Sequence, residues 1–176
     1  MSDTTTVTGA QGLVTDDNVF VGYAAGRGAG GPLTLGVEAQ VRTGTVLYTG
    51  SIIGDRFATG HNVVIREENV IGDDVSIWNN STIDYGCTIG SGVRIHCNVY
   101  VAQFTTLEDV VFLAPGVTIA NDPHPLCGLC MRGPTVKRGA RIGVNVTLLP
   151  HITIGEGALI GAGSVVTHDV PAHSVA

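Results

Sequence analysis

The sequence is poor in charge and poorest in positive charge. Only 14% of its residues are charged, and the formal net charge is −6. A general nucleic-acid binder or an anionic-membrane binder needs a basic surface, so neither partner class is expected, although a local basic pocket is compatible with the total. There is no apolar run of membrane-spanning length, and Met1 to Leu13 lacks the basic and apolar regions of a secretory signal. A cytoplasmic protein is therefore expected. Asn79-Asn80-Ser81, Asn80-Ser81-Thr82 and Asn145-Val146-Thr147 match the glycosylation pattern, but without a secretion signal the matches carry no weight. Four cysteines in a cytosolic chain do not call for disulfides, and they are expected as reduced thiols. A helical period is missing too.

What is present is a beat of aliphatic residues at every sixth position. It runs from Leu35 through Val41, Leu47 and Ile53 to Leu113 and Ile119, and only Thr59 breaks the aliphatic rule. It resumes at Val136 and continues to Val166. A period of six fits neither an α-helix nor a simple two-residue alternation. It predicts an all-β hexapeptide solenoid, a parallel β-helix of about seven triangular coils with three hexads to a coil. The 25 glycines suit a chain that turns a corner every six residues. The fourth hexad position is enriched in Gly, Asn and Asp, as at Gly44, Asn62, Asp74, Asn80, Gly92, Asn98, Gly116 and Asn145. Those residue types tolerate a left-handed backbone conformation. The fifth is small or β-branched, as at Val63, Ser81, Cys87, Val99 and Thr105, and should point inward.

The beat divides the chain. Residues 1–12 read as a flexible polar arm, residues 13–34 as an irregular lead-in, and residues 35–176 as the β-helix, with a loop over 121–135. Within the lead-in, Gly26 to Gly31 satisfies G-x-G-x-x-G, but no helical pattern follows, so a phosphate loop is not expected. The missed interval between Ile119 and Val136 extrudes a loop at one corner, and such loops tend to carry function.

Several stretches then resemble the left-handed β-helix acyltransferases, closest to the branch that N-acetylates nucleotide-linked amino sugars. They are Val93-Arg94-Ile95-His96-Cys97-Asn98-Val99, Leu107 to Phe112, Ala120-Asn121-Asp122-Pro123, Gly133 to Gly143, and Gly161-Ala162-Gly163-Ser164-Val165-Val166-Thr167. The resemblance implies a left-handed coil, against the usual right-handed crossover. It also implies a homotrimer, acetyl-CoA in a groove between subunits, and an acetyltransferase that needs no metal. The family usually continues past the position of Ala176 with a Gly-x-Pro-Ala segment that helps hold CoA, and the sequence given stops before it.

Acyl transfer needs a nucleophile, a proton acceptor and donors for the oxyanion. His124, in Pro123-His124-Pro125-Leu126, is similar to the catalytic His loop of hexapeptide O-acetyltransferases, and it is also readable as a loop-packing residue. His96 should point outward beside Trp78. By resemblance Asn98 lies in the acceptor groove, although it also fills a corner position where Asn or Gly is needed anyway. Trp78, Asn80, Asn121 and Asp122 are the remaining substrate-binding candidates. Arg141, Gly143, Gly161 and Ala162 are the candidates for acetyl-CoA. Lys137, Arg138 and Arg132 are further phosphate contacts or solvated charges. His124, Cys127 and Cys130 form H-x2-C-x2-C, a weak zinc candidate because structural zinc takes four ligands and no fourth is evident. Acylation of a nucleotide-linked amino-deoxysugar is the expected activity, with O-acylation by a His general base as the alternative.

Overall fold

The computed structural model describes residues 6–27, 30–125 and 127–176. Residues 1–5, Gly28 and Ala29 of the glycine-rich run, and Leu126 of the extruded loop lie outside the described residues. The chain winds as a left-handed parallel β-helix with three parallel sheets of eight strands each. The first sheet contains strands such as Val70–Ile71 and Thr88–Ile89, the second Ser76–Ile77, Arg94–Ile95 and Phe112–Leu113, and the third Thr82–Ile83 and Tyr100–Val101. Most strands are two residues long. Register follows the coil: Ile77 lies over Ile95, and Ile95 over Leu113.

The aliphatic beat is the interior. Ile65, Ile77, Ile83, Ile95, Leu113 and Leu148 are all fully buried. Removing each such side chain from water is worth about 1.5–3 kcal/mol, and parallel stacking repeats that gain on every rung. Thr59, the one polar beat, is buried with its hydroxyl satisfied. It accepts from the Arg42 amide at 3.0 Å and meets the Thr45 hydroxyl at 3.3 Å. The fifth-position residues Val63, Ser81, Cys87, Val93, Val99, Thr105 and Val117 are buried as expected. At the corners, Asn62, Asn80 and Asn98 have φ of 56°, 58° and 57°, the left-handed region that the fourth position was expected to occupy.

The stack holds one coil more than the beat counts. Residues 7–23, expected to be partly a flexible arm and partly an irregular lead-in, form a first coil of strands Val7–Gly9, Val14–Thr15 and Phe20–Tyr23. Its beat positions are Gly9, Thr15 and Val21, which pair with Leu35, Val41 and Leu47. An end coil has only one neighbour to pack on, so it can fold without an aliphatic series. Gly9 adopts φ +82°, and a Cβ there would run into the Leu35 carbonyl. The glycine-rich run leads into strand Leu33–Leu35 and not into a helix, which removes the dinucleotide-loop reading. At the other end Val170 bridges Ile154 and Val175 bridges Leu159, closing the last coil. No helix is long and apolar enough to cross a membrane among the described residues.

Candidate functional site

The candidate residues fall on two different edges of the prism. The edge between the second and third sheets carries Trp78, Asn80, His96, Asn98, Gly143, Gly161 and Ala162. Backbone bonds set the column: the Trp78 amide donates to Ile95 O at 2.9 Å, His96 to Leu113 O at 2.9 Å, Ala114 to Ile142 O at 3.0 Å, and Gly143 to Ile160 O at 3.0 Å. Trp78 is 43% exposed, and His96 is half-buried one rung away. The His96 ring meets Phe112 edge to face at 6.3 Å between centroids. Its Nδ1 is buried and has no hydrogen-bond partner. A buried, unpaired ring nitrogen costs about 1–3 kcal/mol, which makes His96 a candidate for contact with a bound molecule.

Asn98 and Asn80 show a different character. The Asn62 amide donates to Asn80 Oδ1 at 3.2 Å, and the Asn80 amide donates to Asn98 Oδ1 at 3.4 Å. Three left-handed corners thus form a side-chain ladder, and it accounts for Asn in all three without any substrate. Gly143 also has a local reason, since a Cβ there would sit 2.7 Å from Ile160 O and from the Ala162 amide nitrogen.

The edge between the third and first sheets carries the extruded loop, with His124, Asn121 and Asp122. The two edges are separated by the full width of the third sheet, so within one chain His124 does not join His96. His124 is exposed. Asp122 is committed to the loop itself: one oxygen accepts from the His124 amide at 2.8 Å, the other from the Cys127 amide at 3.2 Å. Cys127 and Cys130 are joined as a disulfide, which corrects the expectation of reduced thiols and withdraws both sulfurs from the H-x2-C-x2-C metal candidate. Among the described residues no group of three His, Cys, Asp or Glu is placed to hold a metal. Cys87 is core, as expected, with burial pushing its thiol up to about 12.

Asn121 is 8% exposed and points into the fold. Its amide donates to Gln103 Oε1 at 2.7 Å. Gln103 in turn donates to Asp84 Oδ2, which also accepts from the Tyr100 hydroxyl at 2.8 Å. Asp84 Oδ1 faces Arg66 at 3.3 Å, and Arg66 holds Glu67 through two bonds of 2.9 and 2.8 Å. A polar spine therefore runs from Glu67 up to the root of the loop. The Arg66 guanidinium holds the Glu67 carboxyl below its ordinary value. Burial, reinforced by Asp84, pushes the Tyr100 phenol up to about 12. Sequence reasoning missed Arg66, Asp84 and Gln103. The signal was available, since Arg66 and Asp84 stand one coil apart at eighteen residues, as do Gln103 and Asn121.

Arg141 lies on the outer face of the second sheet, in a groove of about 500 Å³ lined by Gly92, Arg94, Val110, Val111, Phe112 and Arg141. Lys137 and Arg138 are engaged with Glu108 at 2.7 Å and Asp109 at 3.4 Å.

A family model described as bacterial transferase hexapeptide (six repeats) matches residues 70–103 and 133–168. Bifunctional protein GlmU of Thermotoga petrophila is 31% identical over 150 residues, covering 82% of this chain and 32% of that protein. Galactoside O-acetyltransferase of Escherichia coli is 31% identical over 137 residues, covering 72% of this chain and 62% of the relative. In three dimensions the chain is similar to Arabidopsis UDP-N-acetylglucosamine acyltransferase, with a TM-score of 0.51 and 17% identity over 93% of this chain and 69% of that one. That likeness is one of fold. The chain spans about a third of the length of the bifunctional relative.

Proposed function

We propose, from the premise that this chain belongs to the hexapeptide-repeat transferases, that it is an acetyl-CoA-dependent N-acetyltransferase acting on an amino group of a nucleotide-linked amino-deoxysugar. In this reading the neutral sugar amine attacks the thioester carbonyl. The new C–N bond forms, the C–S bond breaks, CoA leaves as a thiolate, and the proton released by the nitrogen passes through His96, or through His124 or water, to that thiolate. An amine needs orientation and a proton acceptor more than a strong base. The single observation that carries this reading is His96: a half-buried imidazole with an unpartnered Nδ1, set against Phe112 and one rung from Trp78. His124 fits the general base of an O-acetyltransferase less well, because within one chain it is exposed and the neighbouring Asp122 carboxylate accepts from backbone amides. The working form in this reading is a cytoplasmic homotrimer, in which the loop edge of one subunit meets the His96 edge of the next.

The test is release of CoA thiol from acetyl-CoA against a panel of amino-sugar nucleotides, with the matching hydroxyl sugars as controls. Amino sugars should react and hydroxyl sugars should not. His96→Gln should lower kcat by about 100-fold, while His124→Ala keeps most of the turnover. Acetylation of the hydroxyl sugars, with activity abolished by His124→Ala, would establish the O-acetyltransferase instead.

A further inference from the structure

The chain carries nine basic residues against fifteen acidic ones. Among the described residues most of the nine are already matched. Arg42, Arg56, Arg66, Lys137 and Arg138 pair with carboxylates, and the Arg27 guanidinium lies 3.7 Å from the centre of the Tyr85 ring. Three remain without such a partner: Arg94, Arg132 and Arg141. Two of those three stand on the same outer face of the second sheet. The register places Arg94 over Phe112 and Phe112 over Arg141. Arg94, Phe112 and Arg141 line one groove, and its rim at the first-to-second edge is formed by Gly92, Val110 and Val111. Asp109, beside that rim, is engaged with the Ser91 amide at 2.9 Å and with Arg138. It does not neutralise the pair.

We infer that Arg94, Phe112 and Arg141 form a binding site for an organic diphosphate. Two rungs of a parallel sheet separate the two arginine Cα atoms by roughly 10 Å. Long guanidinium side chains converging from that separation can each fork onto one phosphate of a diphosphate, while Phe112 supplies an apolar floor between them. In an acidic protein such a pair of unmatched guanidiniums is a local positive field, and it selects anions from solution. The site lies close to the candidate chemistry. His96 stands just past the end of strand Arg94–Ile95, two residues or roughly 7 Å beyond Arg94, and its ring meets Phe112 edge to face at 6.3 Å between centroids. A hexose on a diphosphate covers that span.

Two sources share this chemistry, a nucleoside diphosphate sugar and the diphosphate of CoA, and the inference depends on the transfer reading only for that choice. Titration calorimetry of the full chain with UDP, dTDP, CoA and acetyl-pantetheine separates them. Arg94→Gln and Arg141→Gln are exposed substitutions, and melting curves confirm folding. Each variant should weaken a diphosphate ligand by about tenfold, consistent with losing a charged hydrogen bond, and the two together by more. Acetyl-pantetheine, which lacks the diphosphate, should bind all the forms alike. Loss confined to UDP or dTDP assigns the site to the acceptor, and loss confined to CoA assigns it to the donor. The inference is overturned if no diphosphate binds, if both variants bind every probe as the parent does, or if they change the mass of the assembly without changing affinity. Turnover on amino sugars with unaffected diphosphate binding would sink this site and leave the proposed function standing.

Discussion

The edge between the second and third sheets and the edge between the third and first sheets solve the same problem by different means. Both must turn the chain with backbone groups satisfied. The first uses two residue types at one position: Gly44, Asn62, Asn80, Asn98, Gly116, Asn145 and Gly163 all have positive φ. Its side chains form a short amide ladder, and nothing is inserted. The second also keeps a positive φ at its corners, Gly50, Glu68, Gly86, Phe104 and His151, but varies the residue type there, and it adds a side-chain network from Glu67 and Arg66 through Asp84 and Gln103 to Asn121. The two long connections between strands, from Tyr23 to Leu33 and from Ile119 to Thr135, both leave from this second edge. Both edges turn on left-handed corners, and the second adds a side-chain network that can partner backbone groups where the chain is inserted.

The contrast can be broken most severely at the polar spine. Glu67 has a side chain only 1% exposed, and Arg66 is its main partner. Arg66→Ala leaves that carboxylate buried and unpaired, and about 3 kcal/mol of stability should be lost in urea unfolding. A loss below about 0.5 kcal/mol would mean that the spine is incidental.

The same pair predicts a pH dependence. Arg66 holds the Glu67 carboxyl below its ordinary value, so the unfolded chain binds that proton more readily. The stabilisation is fully present above the unfolded value and is lost as pH falls through the folded one. Urea midpoints taken from pH 6 to pH 3 should fall for the parent protein. With Glu67→Gln the fall should be shallower, and parallel curves would assign the acid sensitivity to other carboxylates.

At the regular edge the effect is smaller. Asn98→Ala puts a Cβ-bearing residue without amide chemistry into φ +57°, at a cost of about 1 kcal/mol, while Asn98→Gly should be nearly neutral. Comparing the turnover of these two variants separates the roles weighed for Asn98. If Asn98→Gly folds and works as the parent does, the residue is a corner and nothing more; if it folds but loses turnover, the amide touches substrate.

The smallest change concerns Val110. It is a β-branched residue at φ +52° on the rim of the groove, in the column where Gly92 stands one coil below. Val110→Gly should relieve strain and raise the melting temperature slightly, by an amount worth up to about 1 kcal/mol. Val110 makes its edge costlier than glycine would, and the expected gain shows by how much.

Much of this was legible in the chain. The inward residues, the positive-φ corners and the place of the extruded loop all follow from the six-residue spacing, as Ile95, Asn62 and the gap after Ile119 illustrate. The first coil was not legible, because Gly9, Thr15 and Val21 carry too little of the beat. In the candidate site, Trp78 and His96 were correctly placed on neighbouring rungs. Arg94 and Phe112 were overlooked as a pair with Arg141, although the first two are one coil apart and the third is displaced only by the inserted loop. In the fold the Asn121 amide donates to Gln103 and the Asp122 carboxylate accepts from loop backbone amides, partners that lie outside the six-residue spacing.

What the sequence determined by itself is the prism: a hydrophobic column and conformationally permissive corners are local choices, each written in its own hexad and repeated. What only the tertiary structure decided is which residues share an edge. His96 and His124 are separated in sequence by little more than a coil and a half, yet they lie on opposite sides of the third sheet. Arg94 and Arg141, far apart in sequence, flank one phenylalanine. Winding the chain turns sequence distance into rung and face, and chemistry depends on those two coordinates.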